Sequence, residues 1–343
     1  MAGKLDTDNG ARRGNALAFD LRLVHCYQVT TPAPRVHNAT ADTKPGSTDA
    51  PFMLLREIVA FVAERRAIDR LQITDVYLSG FFSAIQLSDA AVGAAMSYFG
   101  DIAPTELAAT RNSLVALCTE QPLLDKLLWE RDAATPLVWN LRSCLASALS
   151  FPLLRSSADF TLEPGPFRPR WNGLSSATVV GFGGFLDYII RRTAIPVVHV
   201  CDLGYRGRQR EMDSAIDAYG RAFPFKAITI SDGSDRRLRL GSADIVTITG
   251  SAFCNGTMDE LIELSAGARE LMVQGQSASM FPMPLFDRGV TAVVTTLKPP
   301  NLIETATTRF SRFHHLLESG LPEIVMRPRA PRARATCRQN QTS

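Results

Sequence analysis

Between residues 242 and 289 the chain alternates short apolar runs with small polar loops of a kind that can grip a ligand. Ala243 to Thr249 is a β-branched run of strand length that stops at Gly250. The loop after it reads Ser251, Ala252, Phe253, Cys254, Asn255, Gly256. Thr257 then stands where a helix N-cap belongs, with Glu260 three residues on to complete a capping box. Leu261, Ile262 and Leu264 give that helix an apolar stripe, and Gly267 suits its end. Leu271 to Val273 forms the next strand, which breaks at Gly275 into Gln276, Ser277, Ala278 and Ser279. Asn255, Gly256 and Thr257 would present backbone N–H groups and a hydroxyl at a helix start, well suited to a carboxylate or phosphate. The plainer alternative is capping alone, and Thr257 is expected to cap in either case.

A second candidate lies upstream. Ala177 to Val180 is a strand followed by Gly181, Phe182, Gly183 and Gly184, and a helix is expected from Leu186 to Arg192. Glycines let a backbone pass close to a ligand, while the helix N-terminus supplies free N–H groups and positive potential. The strand Val197 to Val200 ends at Cys201 and Asp202, where a carboxylate can accept both hydrogens of a ribose diol. The dinucleotide pattern G-x-G-x-x-G needs glycine at 186, where this chain has Leu186. The looser G-x-G of S-adenosylmethionine binders survives, so that ligand is favoured over NAD. A tight strand–helix turn without any ligand is the alternative.

The expected strand ends are all small or polar: Gly181, Asp202, Ser231-Asp232, Thr249-Gly250, Gly275-Gln276-Ser277 and Thr295-Thr296. In an open α/β sheet such ends converge on one crevice. Gly181, Gly183, Asp202, Thr249, Asn255, Gly256, Thr257, Ser277 and Ser279 are therefore the expected ligand-binding residues.

Thr249-Gly250-Ser251, Asn255-Gly256-Thr257, Asp259-Glu260-Leu261, Gly275, Ser277, Pro284-Leu285-Phe286 and Arg288-Gly289-Val290 resemble the Rossmann-like domain of the putative heavy-metal-chelation family. The resemblance is close over 176–298 and looser over about 55–150, where it is similar to the N-terminal domain of enolase. It implies a two-domain chain and, by the family's name, metal binding. The residues themselves offer few ligands for that. His314 and His315 are adjacent, so on a helix they point about 100° apart and cannot easily chelate one ion. Cys201 and Cys254, on loops facing the inferred crevice, are the soft-ligand candidates, with buried inert thiols as the alternative. His199 lies inside a strand and reads as core. No residue is assigned as catalytic.

Composition narrows the partners. The chain has 343 residues, 45% hydrophobic and 21% charged, which suits two ordinary globular domains. Of the net charge of +3, Arg327, Arg329, Arg332, Arg334 and Arg338 supply five positive charges with no acid among them, leaving the rest at −2. Nucleic acid is not expected as a partner. Six scattered cysteines without a C-x-x-C pair argue against a structural zinc site or a disulfide framework, and fit a reducing, cytoplasmic setting. The longest apolar stretch, around 177–190, falls short of a membrane span.

The order of elements gives the architecture. Residues 1–50 read as mostly flexible, with a short strand expected within 21–29. From 51 to 150 we expect a helix from Pro51, a strand from Thr74 to Leu78, its hairpin partner Phe82 to Leu87, a third strand from Ala94 to Phe99, and helices over 105–130 and 136–150. Strands first and helices after make an α+β domain. Residues 151–175, rich in proline, read as a linker with Trp171 anchoring one domain on the other. Residues 176–326, with six short strands ending at 291–297 and a last helix over 302–318, read as an α/β doubly wound, mostly parallel sheet. Residues 327–343 read as a disordered tail. The expected whole is a small-molecule enzyme of the interdomain cleft, using S-adenosylmethionine for transfer or elimination. A metal or metallophore binding protein holding a divalent ion is the alternative. A homodimer is the expected assembly.

Overall fold

The computed structural model describes residues 53–78, 82–96, 136–169, 171–308 and 321–329. Helix α1 (Met53–Ala63) buries Leu54, Leu55, Ile58, Val59 and Val62, the face its helical spacing dictates. Strands β1 (Ile73–Leu78), β2 (Phe82–Leu87) and β3 (Val92–Met96) then form an antiparallel three-stranded sheet in that order. Helix α2 (Pro136–Ser156) packs across it. At Gly93 any Cβ would overlap the Cys144 carbonyl oxygen, so glycine is what lets β3 and α2 touch. Pro152 sits inside α2 and has no N–H for the Ala148 carbonyl. Arg66 reaches that carbonyl at 3.5 Å and Leu149 O at 2.8 Å. The expected strand within 21–29 and helix over 105–130 lie outside the described residues.

The larger sheet has eight strands. They are β4 (Phe160–Pro164), β5 (Ser176–Val180), β6 (Val197–Cys201), β7 (Ala227–Ser231), β8 (Ile245–Thr249), β9 (Glu270–Gln274), β10 (Ala292–Thr296) and β11 (Glu323–Pro328). Their order is β4-β11-β10-β9-β8-β5-β6-β7. From β10 to β7 all six are parallel, and β11 and β4 add an antiparallel edge. The six parallel strands were legible from their β-branched runs, and their order is that of a doubly wound Rossmann-like sheet with its switch between β5 and β8. The connecting helices are α3 (Gly184–Arg192), α4 (Gln209–Ala222), α5 (Arg236–Ser242), α6 (Met258–Leu264) and α7 (Met283–Asp287).

Several expectations need correction. The segment 151–175 is not structureless: it completes α2 and supplies β4, the outermost strand. Arg327 belongs to β11 rather than to a tail, and its carbonyl accepts from Thr161 at 3.4 Å. Trp171 packs on Phe167, 5.7 Å between rings, in a core cluster that contains no residue from 53–156, so it does not anchor the two lobes. Of the helix expected over 302–318, α8 (Leu302–Thr308) is described, and His314 and His315 lie outside the described residues.

The two faces of the large sheet carry different cores. One joins Val246, Ile248, Leu271, Val273 and Val293 to α6, α7, α1 and α2 in a single cluster. The other joins Val179, Val198, Val200, Met272 and Val294 to α3 and Phe167. The small lobe thus shares a core with the large one. Polar ties reinforce the seam: Leu54 N–H donates to Asp259 (3.0 Å), Met96 N–H to the Ser277 hydroxyl (2.9 Å), and Arg288 pairs with Glu57. Among the described residues no helix is long and apolar enough to cross a membrane.

Candidate functional site

At the switch between β5 and β8 the backbone is held by the residues the sequence singled out. Gly181 adopts φ +97°, a conformation that disfavours side chains, and a Cβ there would stand 2.8 Å from Thr249 Cγ2. The ends of β5 and β8 therefore meet only because residue 181 is glycine. Gly183 precedes α3 at its N-cap position with nothing near its missing side chain. Asp202 accepts the Phe182 N–H on Oδ2 at 2.7 Å and the Gly204 N–H on Oδ1 at 2.8 Å, with Arg208 3.6 Å away. Both carboxylate oxygens thus tie the glycine turn to the end of β6. Leu186 is buried in the core beneath, which is why a packing residue stands where a dinucleotide fingerprint has glycine.

The loops after β8 and β9 behave differently. Asn255 Oδ1 accepts from the Thr257 N–H (3.2 Å) and hydroxyl (2.7 Å), closing a local turn around Gly256, whose φ is +73°. Thr257 makes no side-chain cap, and Glu260 pairs with Arg236 at 3.0 Å instead of closing a capping box. Ser277 and Ser279 are buried against the small lobe, Ser277 on Met96 and Ser279 on Ser147 (2.8 Å). Cys254 is equally buried, and burial pushes its thiol up to about 12. So these loops carry the seam between the lobes. Gly250 is required there because a Cβ would come within 2.6 Å of Ala278 N. Lys298, also fully buried, donates to Gln276 O (3.0 Å), Gln276 Oε1 (2.8 Å), Thr296 O (3.2 Å) and Thr296 Oγ1 (2.9 Å).

The chemistry-bearing cluster lies between β6 and the loop after β7. His199 and Cys201 point from β6, and Asp235 follows β7. Their donor atoms all lie within 4.8 Å of one another, with His199 Nε2 to Asp235 Oδ1 at 3.8 Å. The Ser231 hydroxyl sits among them, 2.6 Å from Asp235 Oδ1, 3.1 Å from His199 Nε2 and 4.0 Å from Cys201 Sγ. His199 Nδ1 is fixed by Thr229 Oγ1 at 2.7 Å, which leaves Nε2 turned toward the cluster. Arg239 holds Asp235 Oδ2 at 2.8 Å.

The protonation states follow from the surroundings. Burial, then the Arg239 charge, lowers His199 below its ordinary value against the pull of Asp235, so the ring is neutral at pH 7. Burial pushes the Cys201 thiol up to about 11. Burial would also raise Asp235, but hydrogen bonds from Arg239 and Ser231 outweigh it and the carboxyl ends below its usual value. Imidazole, thiol and carboxylate suit a borderline divalent ion bound at about 2 Å from nitrogen and oxygen and about 2.3 Å from sulfur. A separation of 3.8 Å between two donors fits that geometry. An ion would displace the Ser231 hydroxyl or take it as a further ligand, and would replace the Cys201 proton.

From the sequence Cys201 is legible as a soft-ligand candidate, whereas His199 reads as core. His199 is buried, yet both ring nitrogens are in polar contact. Nothing in the local pattern marks Asp235. The available signal was that His199 and Cys201 share one side of a strand, since residues two apart do.

Residues 226–307 match the family model DUF364, described as "Putative heavy-metal chelation". Asp235 and Ser231 fall inside the matched stretch, and His199 and Cys201 precede it. Two solved structures with this fold are DUF364-family proteins of unknown function. One, from Pyrococcus horikoshii, shares 14% identity at a TM-score of 0.53, covering 80% of this chain and 100% of its own. The other, from Desulfitobacterium hafniense DCB-2, shares 12% identity at a TM-score of 0.54, covering 80% and 98%. At these identities the likeness is one of fold. No curated protein matches the sequence.

Proposed function

We propose that the chain binds a divalent transition-metal ion, alone or within a small organic chelate, through His199, Cys201 and Asp235. The observation that carries this reading is the convergence of three different donors within 4.8 Å, two from β6 and one from the loop after its neighbour β7. The description of the matched family supports it. His199 supplies a neutral nitrogen, Asp235 the compensating charge, and Cys201 the soft ligand that discriminates against magnesium and calcium. Cobalt(II) titration of the full chain tests it. We expect a thiolate-to-cobalt band near neutral pH, abolished in Cys201→Ser, and affinity falling about 10- to 100-fold in His199→Ala. A wild-type protein silent to cobalt and zinc, while folded, overturns the reading.

A second reading is favoured by the strand order, which sets the Gly181–Gly183 turn at the switch point beside Asp202. In it an adenosine-type ligand, S-adenosylmethionine in preference to NAD because of Leu186, lies across that turn, with transfer or elimination as the chemistry. Calorimetry with S-adenosylmethionine, S-adenosylhomocysteine and NAD separates the two readings. Heat with the first two, lost in Asp202→Ala, supports it, and no heat from any of the three removes it.

A further inference from the structure

We infer that the free edge of β7 is a self-pairing interface, and that two copies of this chain join there antiparallel to continue the eight-stranded sheet. Among the described residues β7 pairs with β6 alone and ends the sheet. Ala227 N–H donates to Pro196 O and Ser231 O accepts from Asp202 N–H, so residues 227, 229 and 231 turn their main chain toward β6. By alternation the N–H and C=O of Ile228 and Ile230 point away from the sheet.

Edges of this kind are ordinarily protected by lysine, proline, a bulge or a covering element. This one has none of the first three: β7 reads Ala-Ile-Thr-Ile-Ser, without charge or proline, and its pairing register with β6 is regular. The adjacent charge, Lys226, is turned inward to the carbonyls of Thr193 (2.9 Å) and Ile195 (2.6 Å). Asp232 at the other end is held by Arg206. Lys226, the charge next to the strand in sequence, is thus withdrawn from the edge.

The occupant follows from the register. A two-fold axis through Thr229 sets Ile228 opposite Ile230 of the second copy, and both residues have outward main-chain groups, so each pair exchanges both hydrogen bonds. Phe225 lies in the turn before β7 and Gly233 in the turn after it, so the same two-fold axis brings the turn that carries Phe225 next to the turn that carries Gly233 of the second copy. Phe225 is 66% exposed, and Leu203, 62% exposed, lies beside Gly233, 3.7 Å from where its Cβ would be. These are two of the largest exposed apolar side chains among the described residues, and they lie at opposite ends of the edge. Two-fold antiparallel pairing brings each onto the other, which a parallel or heterologous partner would not do.

Sedimentation equilibrium on the full chain tests this, with Ala227→Lys and Phe225→Glu as variants. Both side chains are exposed, so neither change disturbs the pairing of β7 with β6. The wild type is expected to sediment as a dimer, and both variants as monomers with unchanged circular dichroism. A monomeric wild type at tens of micromolar, or a dimer that survives both substitutions, overturns the inference.

Discussion

The Ser231 hydroxyl donates to Asp235 Oδ1 at 2.6 Å and thereby occupies the space between the three candidate ligands. A hydroxyl there keeps His199 and Asp235 satisfied in a largely buried setting. Replacing it exposes what the cluster is for.

If the cluster is a metal site, Ser231→Ala should bind cobalt or zinc at least as tightly as the wild type, because no hydroxyl must be displaced. The same change should cost about 1 kcal/mol of stability, the ordinary worth of a lost hydrogen bond. Parallel metal titration and urea melts check both. A large loss of metal affinity in Ser231→Ala would make the serine itself a ligand.

Metal affinity should rise with pH. His199 is lowered and Asp235 is ionised at pH 7, so neither limits binding, whereas Cys201 holds its proton up to about pH 11. Binding that releases one thiol proton strengthens about tenfold per pH unit between 7 and 9. In Cys201→Ser the slope should vanish.

Lys298 should make the fold more stable as pH rises. Burial lowers its amine to about 7 from an ordinary 10.5. The unfolded chain therefore binds more protons at this site between pH 7 and 10.5, and stability increases with pH across that window. Lys298→Met should lose this slope. It should also lose about 2 kcal/mol at pH 8, because acceptors on Gln276 and Thr296 are left bare. Urea melts at pH 7 and 8.5, wild type against variant, measure it.

Gly93→Ala and Gly250→Ala should each destabilise by about 3 kcal/mol, the upper range for overpacking against backbone. A Cβ at 93 meets the Cys144 carbonyl, and one at 250 meets Ala278 N. Gly220→Ala, with nothing near its missing Cβ and a place inside α4, should be neutral or stabilising. Thermal melts of the three variants suffice.

The six parallel strands, and the glycine turn at Gly181 with Asp202 after the next strand, were legible because they depend on local pattern. A β-branched run ending in glycine or a small polar residue declares a buried strand and its loop within a few residues of chain. β4 and β11 were not legible, since each is a short run closed by proline in the antiparallel end of the sheet, where pairing with a distant segment decides the conformation. The fates of Ser277, Ser279 and Asn255 also lay beyond local reading. A serine in a strand-end loop looks the same whether it faces a crevice or, as here, the amide of Met96.

The sequence alone determined which six segments become the parallel strands, which turns require glycine, and where the charge lies. Tertiary structure decided that His199, Cys201 and Asp235 meet while Cys254 is sealed against the small lobe. Propensity and periodicity act over a turn or a pleat. A three-donor cluster depends on which strands are neighbours, and that order is set by packing both faces of the sheet at once.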